Sequence, residues 1–591
     1  MRFSGVARAV GVVTMVVASS MLGIELHAQQ TVGLFRHDRA VAQPGYVLLS
    51  SATDENVYLV DTDGYLVHSW TTPYTPGLSA YLLPNGNLIR GAQLDRPDAF
   101  FDARGHGGRV EEYDWDGNLV WSYELSNDDL LQHHDIVRLP SGNTVIMAWE
   151  HRTQSEAVSA GRDPGTIPDG AIWSESLFEV DPAGQTVWEW HAWDHMIQDF
   201  DPSRDNYGVV ADHPGKIDIN GVPIEDYIHF NGMHYDPVHD HLVLSTREFS
   251  EFWILDHGTT SVEAAGSTGG NRGRGGELLY RWGNPQIYDR GLPADQILEH
   301  QHDSHWIQTA DPDARHIMVF NNQDSAGFST AEEIVLPIDA AGDFVDPGAG
   351  PHGPAAPLWT YTATLPDTLF SPIISGADRL PNGNTFITEG VTGRFVEVTS
   401  AGEVVWEYVN PIGNTGPLAQ GTEPTPQGLT FENGVFKARK YAPDHPAFAG
   451  RDLTPQAVLE TGFTAPQAVG DGTVGTTPLT AVRATAAGDQ IEVSFDTVSC
   501  TGSSDYNLIY GLLENLGTYT IEGAECGVGL SGTHLWQGVP AGDLFFLAVG
   551  VDETGIYEGG WGSDGAGVER NGNTASFRCG ANLKVPTLSC P

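Results

Sequence analysis

The chain of 591 residues has no cysteine before Cys500, which excludes cysteine nucleophiles and cysteine metal ligands from most of the protein. Basic residues are also scarce, with 29 Lys and Arg against 77 Asp and Glu and a formal net charge of -48. A field of that sign repels polyanions, which argues against nucleic acid and anionic membrane surfaces as partners. An anionic substrate would need a local positive site.

Long apolar runs are absent from the rest of the chain after the N-terminal segment. No stretch there reaches the roughly 18 to 20 apolar residues that a membrane helix needs. We therefore expect no membrane span. Residues 1–28 place two arginines before an apolar run from Val10 to Ile24 and end at Ala28, a pattern typical of a secretory signal peptide. The sequence thus predicts an exported protein, either periplasmic or secreted.

The four cysteines that are present all lie near the C-terminus, at Cys500, Cys526, Cys579 and Cys590. An even number confined to one part of an exported protein indicates two disulfides. Sequential pairing, Cys500 with Cys526 and Cys579 with Cys590, is the simplest of the three possible connectivities. A zinc site is the weaker alternative, because no Cys-x-x-Cys spacing occurs.

One template recurs along the chain before residue 410: a histidine or small polar residue heads a strand that runs into a turn and a β-branched segment. Its five copies start at Leu78, His134, His229, His302 and Ser375. Hairpins with an Asp-Gly or Ala-Gly turn and an aromatic end lie between the copies and finish at Trp70, Tyr123, Trp190 and Tyr408. Alternating apolar positions and this loosely spaced repeat predict antiparallel units of about four strands each.

These repeats predict an all-β fold, a six-bladed β-propeller followed by a small disulfide-stapled β-sandwich. We divide the chain into a signal peptide (1–28), a propeller (44–450), a linker rich in Thr, Pro and Gly (451–478) and a C-terminal module (479–591). The stretch between residue 411 and the linker is interpreted as irregular. The C-terminal module contains no catalytic constellation, so a binding, attachment or stability role is expected for it.

Three of the five repeat copies begin with histidine, and a position that recurs around a closed repeat converges on a common axis. We therefore expect His134, His229 and His302 to meet in space. Asn231 and Arg247 belong to the same strand pair as His229, and their amide and guanidinium groups suit a tetrahedral oxyanion such as a sulfuryl group. A neutral imidazole in such a site is a competent nucleophile.

Two other classes of function remain open on this pattern. The histidines, with Asp135 or Asp303, could bind a metal ion in a metal-dependent hydrolase or lyase. Alternatively, the propeller could bind a ligand without catalysis, with the histidines only capping strands. We favour the anion site, because Arg247 and Asn231 suit an anion better than a cation and no His-Glu-x-x-His element occurs.

The segments HHDIVRLPSGNTVI, HFNGMHYDPVHDHLVLSTR, EHQHDSHWI, FNNQD and SPIISGADRLPNGNTFITEG resemble those of the bacterial arylsulfate sulfotransferases over roughly residues 44 to 450. That family has a six-bladed propeller with a central histidine that becomes transiently sulfated. The resemblance implies PAPS-independent transfer of a sulfuryl group from an aryl sulfate donor to a phenolic acceptor. We assign no cofactor and no metal.

The resemblance also implies roles for single residues. His302 corresponds to the nucleophile, while His134, His229, Asn231 and Arg247 correspond to the residues that bind the sulfuryl oxygens and handle the proton. A small hydroxyl residue of the last repeat falls at Ser375. We assign Asn231 and Ser375 to substrate binding, together with two histidines that flank the main positions, His133 and His305. Whether His133 or His134 faces the axis is left open.

Overall fold

A computed structural model describes residues 30–95, 105–167, 170–308, 314–323, 325–462, 469, 476–486, 488–499, 502–562, 569–572 and 574–585. This part of the chain is almost entirely β, which confirms the predicted fold class at that level. The described α-helices are Gln154–Ser159 and Ser261–Ala264. No helix in the described ranges is long and apolar enough to cross a bilayer. The predicted signal peptide lies outside these ranges.

Six antiparallel sheets of four or five strands follow one another between Gly33 and Tyr441. Sheet I contains Arg439–Tyr441, Tyr46–Leu49, Asn56–Asp61 and Leu66–Thr71. Sheet II contains Pro76–Leu82, Leu88–Gln93, Gly108–Tyr113 and Leu119–Glu124. Sheet III contains Leu130–Arg138, Thr144–Thr153, Ala171–Val180 and Thr186–His191.

The next three sheets have the same plan. Sheet IV contains Phe230–Asp236, His241–Thr246, Glu251–Asp256 and Tyr280–Trp282. Sheet V contains His302–Ile307, His316–Asn321, Thr330–Val335 and Trp359–Tyr361. Sheet VI contains Gly376–Arg379, Thr385–Glu389, Arg394–Val398, Val404–Val409 and Gly33–His37. Below, the first strand of a sheet is the strand given first for it in these lists. The head of a sheet is the N-terminal part of that strand.

The recurring hairpins owe their geometry to an aspartate and a glycine. After the third strand of sheet III, Asp181 Oδ1 accepts hydrogen bonds from the backbone N–H groups of Ala183 (2.9 Å) and Gln185 (2.8 Å). Gly184 in the same turn has a φ of 80°, a region that side chains with a Cβ rarely adopt. The turn chemistry read from the sequence therefore produces the predicted hairpin.

Both ends of the repeat region cross over to complete a neighbouring sheet. The N-terminal strand Gly33–His37 pairs with Val404–Val409 in sheet VI, and the strand Arg439–Tyr441 pairs with Tyr46–Leu49 in sheet I. The interpretation of the stretch after residue 411 as irregular is wrong at this strand. Lys440 fixes the crossover, because its Nζ lies 2.6 Å from Glu397 Oε2 of sheet VI with both side chains fully buried.

Neighbouring sheets pack face to face through large apolar side chains. Sheets III and IV share a buried cluster that includes Trp190, Leu242 and Trp253. Sheets IV and V share another, which includes Phe252 and Val319. The first strands of sheets II to VI also contact one another in chain order. Burial of this apolar area holds the sheets together and brings the heads of the first strands to one place.

Short elements complete the described chain before residue 450. Two-stranded pairings join Met196–Ile197 to Ile217–Asp218, Ile412–Gly413 to Gly416–Pro417, and Pro426–Gln427 to Thr430–Phe431. The 3₁₀ turns of this region are Pro164–Thr166, Ala192–His195, Val210–Asp212, Pro285–Tyr288, Pro293–Asp295, Pro366–Thr368, Gly390–Thr392 and Pro446–Phe448.

The C-terminal region contributes two further sheets. One contains Thr480–Arg483, Gln490–Ser494 and Thr533–Gln537, and the other contains Gly523–Glu525, Asp505–Leu512, Leu544–Val551, Tyr557–Gly559 and Leu583–Val585, with a 3₁₀ turn at Leu513–Asn515. Residues of both sheets share a core around Val493 and Leu508. Tyr557 joins this region to sheet VI, because its hydroxyl donates to the Leu34 carbonyl at 3.2 Å.

A disulfide joins Cys526 to Cys579. The expected sequential pairing of Cys500 with Cys526 and of Cys579 with Cys590 is therefore wrong. The sequence allows three connectivities and favours the sequential one only for its simplicity, whereas the actual choice depends on which strands become neighbours. Cys500 and Cys590 lie outside the described residues.

His257 links sheet III to sheet IV and makes stability depend on pH. Its ring nitrogens lie 2.7 Å from Asp240 Oδ1 and 3.0 Å from Glu179 Oε2. Burial alone would lower the pKa of His257, but hydrogen bonds and charge from the two carboxylates outweigh it and raise the pKa from 6.5 to about 9. The charged ring therefore stabilises the fold fully below about pH 6.5, and this contribution is lost as pH rises through about 9.

We predict that His257→Gln lowers the free energy of unfolding by about 2 kcal/mol at pH 6 and by clearly less at pH 10. The reason is that the wild-type ring has lost its proton at the higher pH. Urea unfolding of both proteins at the two pH values measures the difference. An equal loss at both would contradict a charged His257.

Candidate active site

The first strands of sheets II to V are irregular near their heads, where the candidate residues lie. Pairing shifts register in each of them, for example between Phe230 and Gly232 and between His302 and His305. His134, His229 and Asp303 have φ values of 45°, 52° and 58°. A β-bulge with such a residue turns side chains out of the regular alternation. These bulges aim the histidines away from the sheet faces and into a shared space.

His302 heads sheet V and is buried, with 2% of its surface exposed. Its Nδ1 lies 2.8 Å from Asn322 Oδ1 and 3.1 Å from the carbonyl oxygen of His300. Both partners can only accept, so Nδ1 carries the proton and donates it. Nε2 is then a bare lone pair, and no described residue forms a hydrogen bond to it.

Asn322 is fixed in the orientation that this tautomer requires. Its Nδ2 donates to the carbonyl of Ser371 at 2.6 Å and to Ser375 Oγ at 3.2 Å, which turns Oδ1 toward His302. The amide is fully buried. Ser375, which the sequence assigns to substrate binding, thus lies behind Asn322 and supports the hydrogen-bond partner of His302.

The ring of His302 is held neutral. Burial is the main cause that lowers its pKa to about 3, the hydrogen bond to Asn322 opposes the shift, and the charges of Arg247 and His229 add to it. The lone pair of Nε2 is therefore present at neutral pH. A neutral, oriented imidazole beside a guanidinium is the arrangement that attack on an anionic electrophile requires.

The adjacent pair His133 and His134 divides its roles. His134 packs its ring against that of His229 with centroids 4.7 Å apart, and Phe436 lies 5.7 Å away. His133 is fully buried, stacks on Trp149 at 4.1 Å and does not join that group. His134 therefore faces the site, and the structure does not bring His133 to it.

His229 and Arg247 lie together at the head of sheet IV. The backbone N–H of Arg247 donates to the carbonyl of His229 at 3.0 Å, and the Arg247 guanidinium pairs with Glu248. His229 Nδ1 lies 2.5 Å from Asp226 Oδ2. Arg247 and His229 are close enough to His302 for their charge to lower its pKa. All three histidines expected at the site therefore reach it, each with different partners.

Asn231 is in a different position from the one that its predicted role needs. It is fully buried, and its Nδ2 donates to the carbonyl of Gln301 at 2.8 Å. Its Oδ1 is buried without a hydrogen-bond partner. Only one N–H of the amide remains to bind an oxyanion, so Asn231 mainly joins the heads of sheets IV and V.

His305 lies beyond Asp303 on the other side of the first strand of sheet V. Its Nδ1 donates to the Asp303 carbonyl at 2.8 Å, and its Nε2 lies 3.3 Å from Asp378 Oδ1. It lines a cavity of about 960 Å³. First strands of all six sheets line this cavity, through Tyr81, Ile136, Met233, His305, Asp378 and Arg439. The structure therefore separates His305 from His302.

A buried ion cluster lies between His302 and this cavity, and we call it the axial cluster: Asp135, Asp303, Lys437 and Arg439. Lys437 Nζ lies 2.6 Å from Asp135 Oδ2 and 3.4 Å from Asp303 Oδ1, and Arg439 contacts both oxygens of Asp303 at 2.5 and 2.7 Å. Asp135 and Asp303 are the carboxylates that a metal site would use, and both are already paired with the cationic side chains of Lys437 and Arg439. Among the described residues, no group of three or more His, Cys, Asp or Glu is arranged to hold a metal ion.

Sequence reasoning missed several residues of the site. Asn322 was visible in the FNNQD segment, but only the fold reveals that it fixes His302. Phe436 and Lys437 belong to the stretch interpreted as irregular. Glu175 sits in the middle of an otherwise ordinary strand and gave no signal.

Comparison with known families gives one match. The profile of a family described as Arylsulfotransferase (ASST) matches residues 31–411, more than half of the chain. The matched range contains every residue that the sequence assigns to the site. No curated protein matches the chain.

Solved structures offer only distant likeness. A protein of unknown function from Bacteroides caccae is 10% identical, with 62% of this chain and 93% of that chain covered and a TM-score of 0.36. Virginiamycin B lyase from Staphylococcus aureus is 10% identical over 65% and 85% of the two chains, with a TM-score of 0.30. The periplasmic gluconolactonase of Pseudomonas aeruginosa is 13% identical over 68% and 100%, with a TM-score of 0.32. These values identify neither a reaction nor a substrate.

Removal of Lys437 tests the axial cluster. We predict that Lys437→Met destabilises the protein by about 3 to 5 kcal/mol, because it leaves Asp135 buried without a cation. The double variant Lys437→Met/Asp135→Asn should recover part of this loss, since no unpaired charge remains at that position. Unfolding in urea compares the three proteins. A single variant as stable as wild type would contradict the cluster's role.

Proposed function

The chain belongs to the arylsulfotransferase family, and from this premise we propose that it transfers a sulfuryl group from an aryl sulfate to a phenol through a sulfated His302. The observation that carries the proposal is the neutral His302, whose Nδ1–H is locked onto Asn322 and whose Nε2 is free beside Arg247. No nucleotide donor enters the reaction. The enzyme returns to its starting state after two displacements at sulfur.

In the first displacement, the Nε2 lone pair of His302 attacks sulfur and the bond from sulfur to the aryl oxygen breaks. Arg247 binds the sulfuryl oxygens as a fork of donors, after exchange of its contact with Glu248. The departing aryl oxygen takes a proton from His134 or His229. The products are a phenol and a sulfo group bonded to Nε2.

The partner of His302 decides how reactive that intermediate is. Asn322 accepts a hydrogen bond but cannot take the proton, so Nδ1 keeps it and the sulfated ring stays an imidazolium. An imidazolium is a good leaving group, because neutral imidazole is released when the bond from nitrogen to sulfur breaks. His229 differs here, since Asp226 could accept its Nδ1 proton.

In the second displacement, a phenol enters where the first one left. Its free pKa of about 10 leaves it mostly protonated at neutral pH, so a base must take the proton as the oxygen attacks sulfur. The histidine that supplied the first proton takes this one. His302 is released with its lone pair restored, which gives a ping-pong sequence.

The fold proposal that accompanies this mechanism is a six-bladed propeller over residues 44–450, with sheets I to VI as blades and the strand Gly33–His37 added at the edge of sheet VI. The shared cavity and the crossovers at both ends support closure into a ring. We propose that residues 451–478 are a linker and 479–591 a separate module. The disulfide between Cys526 and Cys579 supports an oxidising compartment, the periplasm or the medium.

The function is tested with 4-nitrophenyl sulfate and a phenol. We predict sustained release of nitrophenol only with the acceptor present, and a mass increase of one sulfo group on protein treated with the donor alone. His302→Ala should lose both, while His68→Ala, whose ring stacks on Trp115 away from the site, serves as the control variant. Turnover without an adduct would refute the covalent step. No turnover with any aryl sulfate would favour a binding protein.

The pH dependence follows from the depressed pKa of His302. Because this pKa is about 3, the nucleophile stays unprotonated down to far below neutral pH. We predict that the first displacement with 4-nitrophenyl sulfate, whose leaving group needs little help from an acid, loses less than half its rate between pH 8 and pH 5. Stopped-flow measurement of the first turnover checks this. A fall with a midpoint near 6.5 would contradict it.

A further inference from the structure

Behind His134 lie two buried ionisable side chains, His133 and Glu175, that the proposed reaction does not yet use. His133 Nδ1 lies 2.8 Å from His134 Nδ1, and His133 Nε2 lies 2.9 Å from Glu175 Oε2. Glu175 and His133 are fully buried, and 4% of the surface of His134 is exposed. This hydrogen-bonded series of side chains thus leads from His134 at the site into the interior of sheet III.

The surroundings hold this chain in one geometry. Trp149 stacks on the His133 ring at 4.1 Å. The backbone N–H of Phe230 donates to Glu175 Oε1 at 2.8 Å, so only Oε2 is left for His133. A single proton can occupy the contact between the two Nδ1 atoms. Two arrangements of the protons satisfy every one of these hydrogen bonds.

In the first arrangement Glu175 carries a proton and donates it to His133 Nε2, His133 Nδ1–H donates to His134, and His134 presents Nε2–H. In the second, Glu175 is a carboxylate that accepts from His133 Nε2–H, His133 Nδ1 accepts from His134 Nδ1–H, and His134 presents a lone pair. No imidazolium is needed in either. The change from the first arrangement to the second therefore turns His134 Nε2 from a hydrogen-bond donor into an acceptor.

We propose that Glu175 and His133 are positioning residues that form a proton relay, through which His134 protonates the departing aryl oxygen and deprotonates the incoming phenol. This inference rests on the proposed function and deepens it. In the first displacement three protons each move by one bond, from His134 Nε2 to the aryl oxygen, from His133 to His134, and from Glu175 to His133. The second displacement reverses all three, so the relay ends as it began.

The electrostatics of the site support the protonated resting state. Burial raises the pKa of Glu175 well above its usual range, and the charge of Asp226 adds to this effect. Burial likewise lowers the pKa of His133 and of His134 well below the usual range, and the charge of the buried Lys437 adds to the effect at His134. Glu175 is therefore the group that stores the proton.

The relay predicts a specific pattern in Glu175→Gln. Glutamine can donate to His133 and accept from the Phe230 N–H, so the hydrogen bonds are kept, but it has no proton to give up. With phenyl sulfate, whose leaving phenol is basic, the single-turnover rate should fall about 100-fold or more. With 4-nitrophenyl sulfate, whose leaving group is far more acidic, the rate should change little.

Glu179→Gln is the matched control, since Glu179 lies on the same strand and contacts Asn143 and His257 instead of the site. It should leave both rates unchanged. His134→Gln, which removes the exposed end of the relay, should reproduce the dependence on the leaving group. The relay is overturned if Glu175→Gln slows both donors equally, as structural damage would, or slows neither.

The wild-type enzyme separates this inference from the proposed function. If the wild type forms the adduct on His302 and turns over both donors, the function stands and the variants decide the relay alone. If the wild type forms no adduct and transfers nothing, the proposed function fails and the relay fails with it. A thermal midpoint for each variant shows whether a loss of rate reflects unfolding.

Discussion

The axial cluster is the contact on which the candidate site depends. A buried charge is costly unless it is paired, and here Lys437 and Arg439 neutralise Asp135 and Asp303 where the first strands meet. Asp135 also accepts from Tyr81 and from the Met233 backbone, which ties it to sheets II and IV. Its neighbours in sequence are the site residues, because His134 precedes Asp135 and His302 precedes Asp303. The charge pairing therefore holds in place the backbone positions next to His134 and His302.

Different partners give chemically different roles to three similar side chains. His302 donates to an amide, which holds its ring in one tautomer without offering to take a proton. His229 donates to the carboxylate of Asp226, and His134 is joined to Glu175 through His133. A nucleophile that must become a leaving group benefits from the first arrangement, and an acid–base group benefits from the other two. The site therefore distinguishes its histidines by what lies behind each ring.

Much of this architecture could be predicted from the sequence, because local rules govern it. Period-2 alternation and Asp-Gly turns located the hairpins, and the repeat placed His134, His229 and His302 at equivalent strand heads. The strand at Arg439–Tyr441 could not be found that way, because it completes a sheet whose other strands lie nearly 400 residues earlier. The disulfide pairing failed for the same reason, since it depends on which distant strands become neighbours. Glu175 and Asn322 act through tertiary contacts, which no spacing in the sequence reveals.

The most direct test of the account is a crystal structure with an aryl sulfonate. This compound resembles an aryl sulfate, but its sulfur is bonded to the ring carbon and it lacks the ester oxygen that would leave when His302 attacks. We predict that the sulfonate group lies against His302 Nε2 with its oxygens bound by Arg247, and that the aryl ring points away from the axial cluster. Density for the sulfonate only in the cavity lined by His305 and Asp378, with His302 untouched, would contradict the account.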